Sequence, residues 1–155
     1  MFKVFSDGAC KGNPGVGGWG VVIESPDGLT FEKKGASVHT TNNQMELTGA
    51  IEALRGTPKG SSVVLTTDSK YVIDGITKWI HGWKKRDWQA STGGAVKNKE
   101  LWQQLDAEFN QRSVTLEWVR GHTGHIQNER CDQLANEAIV NIPKPGMGID
   151  AEFTL

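Results

Sequence analysis

Ser62-Val63-Val64-Leu65-Thr66-Thr67 is an uninterrupted run of apolar and β-branched residues, and it stops on Asp68. A run this short and this apolar reads as a strand covered on both faces, the signature of a central position in a sheet. Before it lies a helix. Thr41 followed three residues later by Gln44 forms a capping box, and Leu47, Ala50, Ile51 and Leu54 recur at helical spacing until Gly56 and Pro58. Further upstream three strands are expected, over residues 2–10, 19–24 and 29–38. They are joined by Gly12-Asn13-Pro14-Gly15, with flexibility extended through Gly17, Gly18 and Gly20, and by Pro26-Asp27-Gly28. Turns this short imply antiparallel neighbours.

Downstream, residues 69–87 read as helical with a break near Gly75, and Gly93-Gly94 as a loop. Leu101, Leu105 and Phe109, with Trp102 beside them, mark another helix. A last strand is expected at 114–119 and a last helix at 127–140, the latter burying Leu134, Ala135, Ala138 and Ile139. The order predicts an α/β fold with a five-stranded mixed sheet: three antiparallel strands, then two α-connected parallel strands, with helices on both faces. One domain over 1–142 is expected, with a helical protrusion at about 77–99 and a loosely ordered tail over 143–155 after Pro143.

The chain has 155 residues, 37% hydrophobic and 23% charged, with a net charge of -1. That is the composition of one soluble domain. There is no apolar stretch near the length of a membrane span and no charged-then-apolar leader, so a cytoplasmic location without membrane contact is expected. Cys10 and Cys131 match no metal-site spacing and no disulfide framework; they read as small buried thiols. The charge is unevenly placed. Between Ile76 and Lys99, Lys78, Lys84, Lys85, Arg86, Lys97 and Lys99 stand against Asp87 alone, a local balance of +5 on an otherwise acidic chain. That asymmetry signals a polyanionic partner.

Four acids border or break apolar patterns. Asp7 interrupts the first strand and Asp68 ends the central one, while Glu46 and Asp132 lie near the starts of their helices. Singly, each has an ordinary reading as a turn former, cap or solvated helix residue. If the two strands are parallel neighbours, Asp7 and Asp68 face one spot at their carboxyl ends. Helix N-termini would then help keep Glu46 and Asp132 ionised. Clustered carboxylates repel unless a cation lies between them, and hard divalent ions select such oxygen ligands. His122, between Gly121 and Gly124 on a loop, is placed to pass a proton near neutral pH. His39, His81 and His125 read as surface or structural. Metal-bound carboxylates beside a proton carrier suit phosphoryl chemistry with two cations about 3.5–4 Å apart.

Five segments together resemble bacterial type-I ribonuclease H over nearly the whole chain, from Phe2 to about Asn141. They are Ser6-Asp7-Gly8-Ala9-Cys10-Lys11-Gly12-Asn13-Pro14-Gly15, Thr40-Thr41-Asn42-Asn43-Gln44-Met45-Glu46-Leu47, Thr67-Asp68-Ser69, Gly121-His122-Thr123-Gly124-His125 and Asn128-Glu129-Arg130-Cys131-Asp132. The resemblance implies the ribonuclease H fold. It implies an endonuclease that cuts the RNA strand of RNA–DNA hybrids, leaving 5′-phosphate and 3′-hydroxyl ends. It implies two Mg²⁺ ions, with Mn²⁺ as a substitute, on Asp7, Glu46, Asp68 and Asp132. His122 would assist proton or product release, and Glu129 would be a peripheral acid.

By the same resemblance Cys10, Asn13, Asn42 and Gln44 would touch the RNA strand, whose 2′-hydroxyl donates and accepts. Thr41 and Asn13 would form a DNA-phosphate pocket; nearby, His39 stands where a permanently charged Arg is expected. Trp79 or Trp83 would lie against a DNA sugar, and both are also packing anchors for the protrusion. Lys84, Lys85 and Arg86 would grip backbone phosphates. A monomer with no obligate protein partner is expected. The rival classes are a non-catalytic hybrid-binding module, a strand-transfer nuclease of the same fold and a structural Trp-rich domain.

Overall fold

The computed structural model describes residues 1–120, 125–141 and 152–154. Five strands are as expected: β1 Phe2–Lys11, β2 Gly15–Glu24, β3 Thr30–Thr40, β4 Ser62–Thr67 and β5 Ser113–Trp118. A sixth, β6 Glu152–Thr154, comes from the tail that carried no strand pattern, and pairs antiparallel with β3. The strand order is β5-β4-β1-β2-β3-β6. β1, β2 and β3 are antiparallel in sequence, while β1–β4 and β4–β5 are parallel. The apolar run over 62–67 is therefore flanked by strands on both sides. The other residues of the tail after Asn141, and with them its expected looseness, lie outside the described residues.

The helices are α1 Asn42–Arg55, α2 Lys70–Asp74, α3 Ile80–Lys85, α4 Lys99–Asn110 and α5 Ile126–Val140. The capping box forms: Gln44 N–H donates to Thr41 Oγ1, and Thr41 N–H to Gln44 Oε1. α1 and α5 clasp β1 and β2 from opposite faces, and glycines let them close. A Cβ on Gly8 would lie 2.4 Å from Glu46 N, on the α1 side. A Cβ on Gly18 or Gly20 would lie 2.4 Å from Ala135 O or 2.2 Å from Cys131 O, on the α5 side. The sequence reading of Gly17, Gly18 and Gly20 as a flexible turn is thus corrected: they are strand residues, Gly18 and Gly20 small because the α5 backbone lies against them, and Gly17 because the Thr40 and Met45 side chains and the Ala9 carbonyl do.

The expected break near Gly75 is also corrected. Residues Gly75–Trp79 form a π-helical turn that joins α2 to α3 without interruption. A Cβ on Gly75 would come 1.9 Å from the Trp102 ring, so the glycine makes room for that indole. Trp102 is fully buried, and its ring packs 5.3 Å from Trp83 and 5.1 Å from Tyr71, centroid to centroid. The main core runs from Val4, Val21, Leu47, Leu54 and Leu65 out to Ile80, Val96 and Trp102, and so carries the protrusion on it.

Candidate active site

The β1–β4 register pairs Phe5 with Thr66. Two residues further along each chain come Asp7, midway along β1 and just past its pairing with β4, and Asp68, just after β4 ends. Asp7 is 5% exposed. Burial first, then the charges of Asp68 and Asp132 and a side-chain hydrogen bond with Asp132, push its carboxyl up to about 9. The Gly8 amide pulls the other way. Three acids from β1, the end of β4 and α5 therefore sit within each other's fields.

Glu46 joins from α1. Its pKa is raised, by burial first and then by the charge of Asp68; a hydrogen bond with Ser69 works against both. The expectation that a helix N-terminus would favour its ionisation is overturned: Glu46 lies in the second turn, where the dipole is weak, and desolvation wins. Asn42 Nδ2 donates to Glu46 Oε1 at 2.7 Å, fixing the carboxylate from one turn back. Among the described residues, no three His, Cys, Asp or Glu side chains are already drawn into metal-ligating spacing. The donor chemistry still fits a hard divalent cation. All four groups are carboxylates, and the fields that raise the Asp7 pKa are what a cation would reverse.

The residues expected at the RNA strand form one patch beside the acids, and most are already engaged. Asn13 Oδ1 accepts from the Asn42 amide at 2.9 Å, tying the β1–β2 turn to the start of α1. Cys10 Sγ lies 3.4 Å from Thr40 O and 3.3 Å from Gly12 O as a donor. Burial raises the pKa of this thiol and, more strongly, that of Cys131. Gln44 accepts from Thr40 Oγ1 at 2.9 Å and donates to Asn98 Oδ1 at 3.2 Å. Thr41 is the α1 N-cap. These side chains build the local backbone as well as any surface for a ligand.

On the protrusion, Trp79 and Trp83 are 6.1 Å apart and Trp83 and Trp88 also 6.1 Å. Trp79 is 40% exposed, whereas Trp83 is half-buried. Lys85 and Arg86 are exposed, but Lys84 Nζ pairs with Asp106 at 2.8 Å, so the three cations are not equivalent. His122 lies outside the described residues. His125 is structural, as expected: it caps α5, its Nδ1 accepting from the Asn128 amide at 3.1 Å.

Two further residues escaped the sequence reading. Ser69 caps α2 and bonds Glu46; its place beside Asp68 was the available signal. Asn98, at φ 59°, links Gln44 to the Tyr71 hydroxyl, to which its Nδ2 donates at 3.1 Å. Nothing local in the sequence marks that bridge, since its partners are 54 and 27 residues away.

No helix among the described residues is long and apolar enough to cross a membrane. The family model for RNase H matches residues 1–140. The chain is 51% identical to a ribonuclease H of Mesorhizobium japonicum over 92% of this chain and 80% of the relative. It is 53% identical to a ribonuclease H of Pseudomonas putida over 88% and 92%. Among solved structures it is similar to LC9-RNase H1, a type 1 RNase H with the type 2 active-site motif. The TM-score is 0.79 and the identity 38%, with 96% of this chain and 76% of that one covered. LC11-RNase H1, solved in complex with RNA/DNA hybrid, shares the fold at TM-score 0.66 and 23% identity, over 90% and 97%. Acids brought together from β1, the end of β4, α1 and α5, this strand order, a family model matched over residues 1–140 and relatives covering most of the chain agree: the chain belongs to the ribonuclease H family and is a hydrolase of that class.

Proposed function

We propose that this enzyme hydrolyses the RNA strand of RNA–DNA hybrids by two-metal-ion catalysis, leaving 5′-phosphate and 3′-hydroxyl ends. The observation that carries the reading is the convergence of Asp68 and Asp132 on the buried Asp7, whose carboxyl is raised to about 9 by burial first and by those two charges next. Asp7, Glu46, Asp68 and Asp132 hold the ions, Mg²⁺ by preference and Mn²⁺ as a substitute. Bound divalent cations supply charge to the attacking water and to the leaving oxygen. Asn42 and Ser69 orient Glu46. The patch of Cys10, Asn13, Thr41, Asn42 and Gln44 meets the backbone of the hybrid and senses the 2′-hydroxyl. His122 moves a proton at the leaving side.

Trp79, the more exposed of the two candidate indoles, lies against a sugar of the DNA strand. Monomeric action in the cytoplasm belongs to the same proposal.

Hybrid cleavage by Asp68→Asn tests the ligand assignment. Activity falls at least about 10²-fold, with the fold intact by circular dichroism; activity within a few-fold of wild type would remove Asp68 from the site. The basic edge has a separate test. Replacing Lys85 and Arg86 by Ala raises KM several-fold, with little change in kcat, and flattens the salt dependence by about one to two phosphate contacts. Lys84→Ala does less, because Asp106 already holds that ammonium. Equal effects at all three positions would contradict the ranking.

A further inference from the structure

Lys70 is an exposed cation at the first position of α2, two residues after Asp68. An exposed lysine ammonium is ordinarily mobile and fully hydrated. This one is placed: Nζ lies 4.7 Å from the centroid of the Trp118 ring. Trp118 is placed in turn. It closes β5 opposite Thr67 of β4, and its indole N–H donates to the Asp68 carbonyl at 3.1 Å. The ring is 42% exposed, so burial does not account for a tryptophan at a strand end. The hydrogen bond fixes the indole plane on the acid-bearing segment, and the indole face holds the ammonium.

Two of the other three lysines on this helical run behave differently. Lys78 pairs with Asp74 at 3.5 Å, and Lys84 with Asp106 at 2.8 Å. Among the described residues Lys70 forms no ion pair, although Asp68 is two positions away. A cation is thus held by an uncharged ring, with its charge left for something other than the protein's own carboxylates. The neighbouring acids repel a polyanion, and a fixed positive charge beside them offsets that repulsion locally. A lysine contacts phosphate as a point charge without regard to the base. The run from Lys70 to Lys85 spans roughly 20 Å at helical rise. Lys70 therefore sits at the acid end of a path whose far end is the basic edge of the protrusion.

We propose that Lys70, held over Trp118, binds a backbone phosphate of the bound nucleic acid beside the acid cluster, and that Trp118 is the positioning residue that aims it. This rests on the hybrid-nuclease reading.

The experiment measures equilibrium binding of a fluorescent RNA–DNA hybrid in EDTA across a salt series, alongside steady-state cleavage with Mg²⁺. Lys70→Gln weakens binding about 5–10-fold and lowers the slope of log K against log salt by about one. Lys70→Arg restores the slope. Trp118→Ala keeps most of the slope, because the charge remains, yet raises KM about 3-fold or more at nearly unchanged kcat. Trp118→Phe, which keeps a ring but no N–H, falls between wild type and Trp118→Ala and guards against a folding defect. Wild-type affinity and slope in Lys70→Gln would overturn the phosphate contact. Wild-type KM in Trp118→Ala would overturn the positioning role. A wild-type protein that neither binds nor cleaves the hybrid would instead overturn the function on which both depend.

Discussion

Asp7→Asn is expected to abolish hybrid cleavage and, in the same molecule, to stabilise the metal-free fold. The loss follows from position. Asp7 is the buried acid on which the fields of Asp68 and Asp132 converge. Removing its charge withdraws several kcal/mol from cation-assisted stabilisation of the transition state, a loss of about 10³-fold or more. The gain follows from linkage. The folded carboxyl titrates near 9, above its ordinary value of 3.8. Between those values the unfolded chain has released a proton that the folded chain still holds. The contribution of Asp7 is thus complete below about pH 4 and is lost progressively as pH rises toward 9. At pH 7 the shift can cost the metal-free wild type at most about 4 kcal/mol, at 1.36 kcal/mol per unit.

Thermal unfolding of both proteins in EDTA from pH 4 to pH 9 checks the sign. The two Tm values agree near pH 4 and separate as pH rises, with the variant higher. Added Mg²⁺ then raises the wild type more than the variant, because only the wild type binds it with a full ligand set. Parallel curves, or a variant less stable than wild type at pH 8, would show that Asp7 is not held under the repulsion described.

Trp102→Ala carries the largest expected loss of stability, about 3–5 kcal/mol against a typical total of 5–15 kcal/mol. The indole is fully buried, donates from Nε1 to the Tyr71 hydroxyl at 3.2 Å and fills the space that Gly75 leaves open. It also touches Trp79 and Trp83, so the protrusion loses its support along with the core. Urea unfolding monitored by far-ultraviolet circular dichroism measures the first effect, and near-ultraviolet aromatic signals the second. Trp102→Phe recovers part of the loss. A change below about 1 kcal/mol would mean that the site collapses around the deletion, and that the protrusion is anchored elsewhere.

Much of the architecture was legible because local chemistry and global position agree. The capping pair Thr41 and Gln44, the stripe Leu47–Ala50–Ile51–Leu54 and the run 62–67 each carry a period or punctuation that only one element type satisfies. The sixth strand was not, because three residues on an edge need no pattern of their own; β3 supplies the pairing. The glycines of β2 misled for a related reason. A glycine that lets a helix approach and a glycine that turns the chain are the same letter, and only the carbonyls of Cys131 and Ala135 tell them apart. The break expected at Gly75 failed likewise, since its reason is an indole 27 positions away.

For the site, the residue pattern marked the four acids as bordering or breaking apolar segments, and the family resemblance proposed them as one set. What they could not supply was the ordering among them. Tertiary burial makes Asp7 the most perturbed, reverses the expected ease of ionising Glu46 and spends Lys84 on Asp106. It also hands the indole of Trp118 to the Asp68 carbonyl and its face to Lys70. Composition and period determine which segments form strands and helices and which side chains are out of place in them, because those depend on neighbours along the chain. Desolvation, mutual charge and the choice of partner depend on neighbours through space, and those exist only once β1, β4, α1 and α5 have packed.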